Sequence, residues 1–253
     1  IGVEFAHIMN AFGVEVHLIE ALDQLLPLED SEIVEVLARS FKNRAIKTYV
    51  STRALTMTKN SDHVKVKLEN KDGEFDLEAD QILVVVGRDI NTTNIGLETV
   101  GIETEKGFIP VGDYYQTKIP GIYAIGDVVN SPLLAHVASK EGEIAVEHMA
   151  GENPETKLDS MLIPSGVYCE PQIASFGLTE EKAKLNGDNY QKATFPYRGA
   201  GKSVAVEKPD GLAKILISPE TKEILGAHVV GAEATELIHE LLLVKSSELL
   251  PLD

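Results

Sequence analysis

The sequence contains one cysteine, Cys169, among 253 residues. A lone cysteine excludes an internal disulfide and any cysteine-based metal site, and we predict no bound metal. No apolar run approaches the roughly 20 residues that a membrane-spanning helix needs, and no basic stretch leads into an apolar segment as in a signal peptide. These absences predict a protein of the reducing cytoplasm with no membrane contact.

Positive charge is also scarce, because 23 Lys and Arg residues face 40 Asp and Glu residues, for a formal net charge of −17. The cations form no cluster, which argues against a nucleic-acid partner since phosphate contacts need clustered Lys and Arg. Hydrophobic residues make up 43% of the chain and charged residues 25%, as in ordinary globular proteins. A chain of this length can bury two or more cores.

Both ends differ from those of an intact gene product. The chain opens with Ile1-Gly2-Val3-Glu4, inside a predicted helix, and stops at residues 249–253, just after another. We therefore expect an internal fragment of a larger protein.

Hydrophobic spacing in the first half alternates between helical and extended patterns. The spacing predicts helices over 2–12 and 31–44, and a continuous apolar parallel strand over 81–86. The predicted shorter strands cover 14–20, 46–50, 54–58, 64–68 and 74–78, with a hairpin turn at 70–73.

The second half begins with a predicted strand over 121–127 and a helix over 134–149. Beyond Pro154 strands dominate, with helices predicted from Thr179 to Gly187 and over 232–247. The predicted strands cover 167–169, 173–176, 190–197, 204–207, 212–218 and 224–230. The predicted fold class is α/β: Rossmann-like nucleotide-binding domains followed by an α+β interface (dimerisation) domain.

Gly2 before a helix, then Gly13 and a strand that ends at Glu20, match the back half of a dinucleotide-binding unit. In such a unit an acid after the second strand accepts hydrogen bonds from the adenosine ribose. A plain β-α-β packing unit with a surface glutamate explains the same pattern equally well. If Glu20 binds ribose, the absence of Arg or Lys at Ala21 and Leu22 favours NAD over NADP.

Thr117-Lys-Ile-Pro-Gly-Ile-Tyr-Ala-Ile-Gly-Asp127 is far more specific. This run resembles the second flavin motif of the flavin-dependent pyridine nucleotide–disulfide oxidoreductases. The resemblance implies that Gly126 and Asp127 lie at the FAD ribityl chain, where the carboxylate accepts a hydroxyl hydrogen bond. It also implies that the backbone of Leu133, Leu134, Ala135 and His136 lies against the flavin, with the helix N-terminus supporting negative charge.

Within that family the chain is most similar to the dihydrolipoyl dehydrogenase branch. The matching runs are Gly-Val-Glu-Phe-Ala at 2–6, Glu-Val-His-Leu-Ile-Glu at 15–20, Val-Gly-Arg at 86–88 and the 240–248 segment. At matched positions the resemblance implies that Gly87 allows close approach of NAD, beside Gly2 of the dinucleotide-binding unit. Glu4 then faces the nicotinamide and Ala54 lies by the adenine.

The resemblance divides the chain into a partial NAD-binding domain (1–87), the second segment of the FAD-binding domain (88–158) and an interface domain (159–253). It implies FAD and NAD as cofactors, a homodimer formed through 159–253, and lipoyl-domain partners from a 2-oxo acid dehydrogenase complex or the glycine cleavage system. The implied activity is oxidation of dihydrolipoamide with reduction of NAD through a cysteine pair and FAD.

Two departures matter. The family's redox-active Cys-x-x-x-x-Cys pair and its catalytic His-Pro…Glu dyad are both absent from this chain, so we expect no catalytic residue within it. The rival hypotheses are another disulfide reductase, similar to glutathione or mercuric reductase, and a non-catalytic chain that dimerises or binds a partner.

Overall fold

The computed structural model describes residues 1–251, which form two compact units. The first unit contains residues 1–85 together with the chain from Pro164 onward. The second unit is the continuous segment Val86–Ile163. Two stretches far apart in sequence therefore share one body in the first unit.

The first unit begins with a β-α-β arrangement, as the sequence predicts. Helix α1 (Gly2–Ala11) ends before Gly13, whose φ of +82° favours glycine. Strands β1 (His17–Ile19) and β2 (Lys47–Tyr49) pair in parallel, and helix α2 (Ser31–Asn43) connects them. The crossover helix is what allows two sequential strands to run in the same direction.

An antiparallel meander follows in the same unit. It consists of β3 (Arg53–Lys59), β4 (Val64–Asn70) and β5 (Gly73–Ala79), in that order across the sheet. Val66 and Leu68 of the middle strand are buried, and Lys67 between them is exposed, so the alternation of the sequence matches the two faces of the strand. Asn70 pairs with Gly73, which confirms the predicted hairpin turn.

The second unit contains one long helix, α3 (Ala135–Met149), close to its predicted bounds of 134–149. The rest of its described residues form loops, isolated bridges and short 3₁₀ turns. Its small core consists of Ile102, Ile109, Ala124 and Val129.

The chain from Pro164 onward forms a five-stranded antiparallel sheet in the order β6-β7-β10-β9-β8. The strands are β6 (Ser165–Val167), β7 (Gln172–Gly177), β8 (Gln191–Pro196), β9 (Leu212–Ile217) and β10 (Ile224–Gly231). Three helices accompany them: α4 (Glu180–Asn186), α5 (Gly201–Ala205) and α6 (Ala234–Ser246). Thr179 caps α4 and Gly187 ends it, both as the sequence predicts.

The β-α-β segment and the C-terminal sheet share one hydrophobic core. Ile33, Leu37 and Phe41 on one face of α2 are fully buried in a cluster that includes Ile173 of β7 and Val230 of β10. Each fully buried large apolar side chain contributes about 1.5–3 kcal/mol. Helix α2 therefore binds the two separated stretches of the first unit together.

A buried ionic cluster lies at the same junction. The ammonium of Lys214 on β9 is fully buried and contacts Asp30 Oδ1 at 2.9 Å, Glu32 Oε2 at 2.8 Å and Glu180 Oε2 at 2.6 Å. Burial alone would lower the pKa of Lys214, but its hydrogen bonds to Glu180, Glu32 and Asp30 outweigh that effect and raise it. Lys192 adds a second cation, 3.0 Å from Glu32 and 3.1 Å from Glu180.

Asp30 also serves two helices at once. Its Oδ1 accepts the Glu32 N–H at 3.1 Å as the N-cap of α2, and its Oδ2 accepts the N–H of Glu180 at 3.1 Å in the first turn of α4. One carboxylate thus satisfies free backbone donors of helices 150 residues apart.

Three predicted strands are wrong. Residues 81–86 are not in a strand, and Leu83, Val84 and Val86 are exposed. Within the described residues this run makes no strand pairing, and an apolar run forms a strand only with a hydrogen-bonded ladder partner. Residues 121–127 contain only an isolated bridge at Tyr123 and a 3₁₀ turn, for the same reason.

The third error is the strand predicted over 204–207. Residues Gly201–Ala205 form α5 instead, and Val204 and Val206 are exposed. A run this short has no usable periodicity, and β8 already occupies the edge beside β9. Among residues 1–251, no helix has both the length and the apolar character needed to cross a bilayer.

We predict that Lys214→Met lowers the free energy of unfolding by about 3–5 kcal/mol, because three carboxylates then lose a buried partner. Urea unfolding monitored by circular dichroism measures this. Lys192→Met is the matched control: Lys192 is 35% exposed, and its loss should cost less than about 1 kcal/mol. Equal midpoints for both variants would contradict the assignment.

The same cluster predicts a pH dependence. The pKa of Glu180 is lowered by hydrogen bonds from Lys184 and Lys214; that of Asp30, which burial alone would raise, is lowered on balance by the Lys214 hydrogen bond. Because the folded state lowers these pKa values, the ionised carboxyls contribute their full stability at pH values above the ordinary carboxyl pKa near 4. This contribution is lost as the pH falls below that value. Lys214→Met should reduce the loss of unfolding free energy at low pH, because Asp30 and Glu180 then lose a partner that lowers their pKa values.

Candidate nucleotide-binding sites

Gly2 lies at the start of α1, against two apolar side chains. A Cβ at this position would stand 3.3 Å from Val85 Cγ2 and 3.7 Å from Leu18 Cδ1. A larger residue would push the helix outward. This is the packing role of the third glycine in a dinucleotide-binding fingerprint.

Glu20 follows directly after β1, at the carboxyl end of the two parallel strands. The Leu22 N–H donates to Glu20 Oε1 at 2.8 Å, and the Thr52 N–H donates to the Glu20 carbonyl at 3.0 Å. Thr52 is itself buried, so the loop after β2 fixes the loop after β1. Ligands of open α/β sheets bind at this end of the strands, and the carboxylate is oriented there as an acceptor.

Glu4 and Ala54 belong to the same unit. Glu4 Oε1 accepts a hydrogen bond from the Tyr168 N–H at 3.0 Å, so its carboxylate is already engaged by the C-terminal sheet domain. Ala54 lies near the start of β3, paired with Leu68 and exposed. The structure thus brings Gly2, Glu4, Glu20 and Ala54 into the first unit.

The other predicted site residues lie in the second unit. Gly87 has a φ of +150°, and a Cβ there would meet nothing within 4 Å, so its backbone is open to close approach. Gly126 has a φ of +73° and starts a 3₁₀ turn that continues through Asp127. Asp127 Oδ2 lies 3.0 Å from Arg88 Nη2, and the Asp127 side chain is 44% exposed.

Helix α3 begins directly beyond the segment 133–134. Among residues 1–251, no side chain caps its start at Leu134, and Leu133, Ala135 and His136 are exposed. The positive end of the helix macrodipole lies at such a start and favours negative charge. The exposed Asp127 carboxylate can accept a hydrogen bond from a polyhydroxyl chain, and the helix start can stabilise negative charge on a ring edge. The residues present therefore fit FAD.

Sequence reasoning missed one residue of this region, Glu141. Its side chain is fully buried in α3, and its Oε2 accepts the Gly126 N–H at 2.6 Å. The available signal was an acid at helical spacing from Ala138, next to Gly142. On composition alone such an acid is indistinguishable from one on a solvated face.

Cys169 packs in the hydrophobic core of the first unit. It is buried among α1 and α2 residues, and its Sγ donates to the Pro171 carbonyl at 3.2 Å. Burial raises the pKa of the Cys169 thiol to about 12, which disfavours the nucleophilic thiolate at neutral pH.

Comparison with known families places these features in context. Residues 1–142 match the pyridine nucleotide-disulphide oxidoreductase family, and residues 163–250 match the dimerisation domain of the same enzymes. The chain belongs to the pyridine nucleotide-disulphide oxidoreductase family. The predicted fold class is confirmed.

Three similar curated proteins are dihydrolipoyl dehydrogenases. The chain is 44% identical to the dihydrolipoyl dehydrogenase of Bacillus subtilis over 99% of its own length and 53% of that enzyme. It is 41% identical to the dihydrolipoyl dehydrogenase of Corynebacterium glutamicum, over 98% of the chain and 54% of that protein. It is 38% identical to mitochondrial dihydrolipoyl dehydrogenase 1 of Arabidopsis thaliana, over 96% of the chain and 48% of that protein. The chain thus spans about half the length of the curated relatives it matches.

Solved structures agree in fold. LpdA of Mycobacterium tuberculosis superposes with a TM-score of 0.89 at 28% identity, over 98% of this chain and 53% of LpdA. The flavoprotein disulfide reductase RclA of Escherichia coli superposes with a TM-score of 0.88 at 24% identity, over 98% of this chain and 56% of RclA, which shows the fold alone. Enzymes of this family use FAD and NAD, which confirms both predicted cofactors at family level.

Proposed function

We propose that this chain is part of a flavoprotein that oxidises dihydrolipoamide and reduces NAD. The observation that carries the proposal is the 44% identity to a dihydrolipoyl dehydrogenase across 99% of the chain. The whole enzyme needs a redox cysteine pair and the family's His-Pro…Glu dyad, and this chain contains neither. We therefore assign the chain to cofactor binding and to the subunit interface.

We assign NAD binding to Gly2, Glu4, Glu20, Ala54 and Gly87, within a partial NAD-binding domain of residues 1–87. The fixed carboxylate of Glu20 would accept the ribose hydroxyls, and an acid there would repel the 2′-phosphate of NADP. Glu4 would contact the nicotinamide after its Oε1 releases the hydrogen bond from the Tyr168 N–H.

We assign the second FAD segment to residues 88–158. FAD, when bound, carries the electrons between thiols and nicotinamide. Asp127 would accept a ribityl hydroxyl through the oxygen that Arg88 does not contact, and Gly126 would keep the turn free of a side chain. The helix start at 133–136 would support negative charge on the flavin ring.

Residues 159–253 are proposed to form the interface of a homodimer. Leu237 and Leu243 on α6 are exposed in the single chain, which suits burial against a second copy. Lipoyl-domain proteins of a 2-oxo acid dehydrogenase complex or the glycine cleavage system are the proposed partners, with neither nucleic acid nor membrane involved. The single buried thiol favours a cytoplasmic setting, although two Arabidopsis relatives are named mitochondrial.

A reductase similar to glutathione reductase is the nearest rival within the family. Glu20 opposes it, because such enzymes favour NADP. A non-catalytic chain that only dimerises would leave the fixed carboxylate of Glu20 and the exposed Asp127 turn without purpose.

We predict that Glu20→Ala in the full-length flavoprotein raises the KM for NAD by roughly ten- to a hundredfold. Hydrogen bonds to a charged acceptor contribute about 1.5–3 kcal/mol, and each 1.4 kcal/mol is about tenfold. Steady-state kinetics with NAD and NADP measure the effect.

The control is Glu15→Ala, which removes an exposed acid just before β1 that pairs with Lys47. Its KM for NAD should stay unchanged. Faster turnover with NADP in the unaltered enzyme would refute the NAD assignment.

We predict that Asp127→Ala weakens FAD retention at least tenfold while the first unit stays folded, because the lost contact is local. Flavin absorbance after gel filtration, with circular dichroism alongside, measures both properties. Asp89→Ala removes an exposed acid next to Arg88 and should keep its flavin. Stoichiometric flavin in Asp127→Ala would exclude the proposed role.

A further inference from the structure

The second unit contains a buried carboxylate with an unusual environment. Glu141 is fully buried, its Oε2 accepts the Gly126 N–H at 2.6 Å, and among residues 1–251 its Oε1 has no hydrogen-bond partner. A buried, unsatisfied polar atom costs about 1–3 kcal/mol. We therefore expect the other oxygen, Oε2, to have a role that an apolar side chain could not fill.

Three residues of α3 contact the turn from one helix face. A Cβ at Gly126 would stand 3.3 Å from Ala138 Cβ, and a Cβ at Gly142 would stand 3.1 Å from Ile125 Cδ1. Ala138, Glu141 and Gly142 are spaced three and four residues apart, which puts them on one side of the helix. The two small residues let the helix approach the turn, and Glu141 between them reaches the Gly126 amide.

The amide that Glu141 binds belongs to Gly126, a residue in the left-handed backbone region. Gly126 has a φ of +73°, and the next residue is Asp127, whose side chain is exposed. A carboxylate that accepts a backbone N–H makes a stronger and shorter bond than a neutral acceptor does. The bond therefore fixes the direction in which the chain leaves Gly126, and with it the position of the Asp127 carboxylate.

We infer that Glu141 is a positioning residue for flavin binding, acting through the Gly126 amide on Asp127. This inference rests on the proposed flavin role of Asp127. The Glu141 side chain contacts the turn through its Oε2. Its charge, and not only its volume, is what the turn requires.

The test compares three variants of the full-length flavoprotein. Glu141→Gln keeps the volume and one acceptor oxygen but loses the charge, and Glu141→Met keeps the length but has no oxygen. Glu143→Gln is the matched control, since Glu143 lies two residues along α3, is exposed and pairs with Lys140. Two readouts apply: the FAD dissociation constant, and the proton shift and hydrogen-exchange rate of the Gly126 amide by NMR.

We expect Glu141→Met to weaken FAD binding roughly tenfold or more and Glu141→Gln by a smaller factor, with Glu143→Gln unchanged. The Gly126 amide should move upfield and exchange faster in both Glu141 variants. If Glu141→Met does not fold, Glu141→Gln alone decides through the amide signal. FAD affinity and an amide signal equal to those of the unaltered protein in Glu141→Gln would overturn the inference.

The Asp127→Ala variant separates the two proposals. If Asp127→Ala keeps its flavin, the flavin assignment itself fails. If Asp127→Ala loses flavin while both Glu141 variants keep it and their Gly126 amide is unchanged, only the positioning role fails.

Discussion

The ion cluster at Lys214 is the interaction on which the first unit depends. A buried ammonium destabilises a fold unless carboxylates surround it. Here Asp30 and Glu32 come before the second unit in the sequence, and Glu180 comes after it. Asp30 caps α2 and also satisfies the first turn of α4. The cluster thus joins the β-α-β segment to the C-terminal sheet through buried ionic contacts.

This constraint has a functional consequence. Helix α2 connects β1 and β2, and Glu20 lies at the end of β1. When the cluster holds α2 against the C-terminal sheet, it also holds the strand that supports Glu20, the proposed ribose acceptor. The hydrogen bond from the Tyr168 N–H to Glu4 joins the same two segments a second time, at a residue assigned to the nicotinamide.

Local signals in the sequence predict much of this fold, and long-range pairing accounts for what they miss. Helical spacing, the Thr179 cap, the glycine stops at Gly13 and Gly187 and the turn after Asn70 depend on neighbours within a few residues. The apolar runs over 81–86 and 121–127 become strands only with partners that the described residues do not provide. No local pattern indicates that Lys214 contacts Asp30, 184 residues earlier.

The candidate site divides in the same way. Glu20 and Asp127 stand in motifs with known spacing, so their sequence positions suggest their roles. Glu141 could not be found, because an acid on a helix is usually solvated and only the fold shows that this one is buried against Gly126.

The central claim is that this chain belongs to an enzyme that moves electrons from dihydrolipoamide to NAD. The most direct measurement is the turnover of the full-length protein with dihydrolipoamide and NAD, beside parallel assays of NADPH oxidation by glutathione disulfide and by mercuric ion. The account predicts NAD reduction that depends on dihydrolipoamide and much slower turnover in the other two assays. Faster turnover with glutathione disulfide or mercuric ion, or no reduction of NAD, would contradict it.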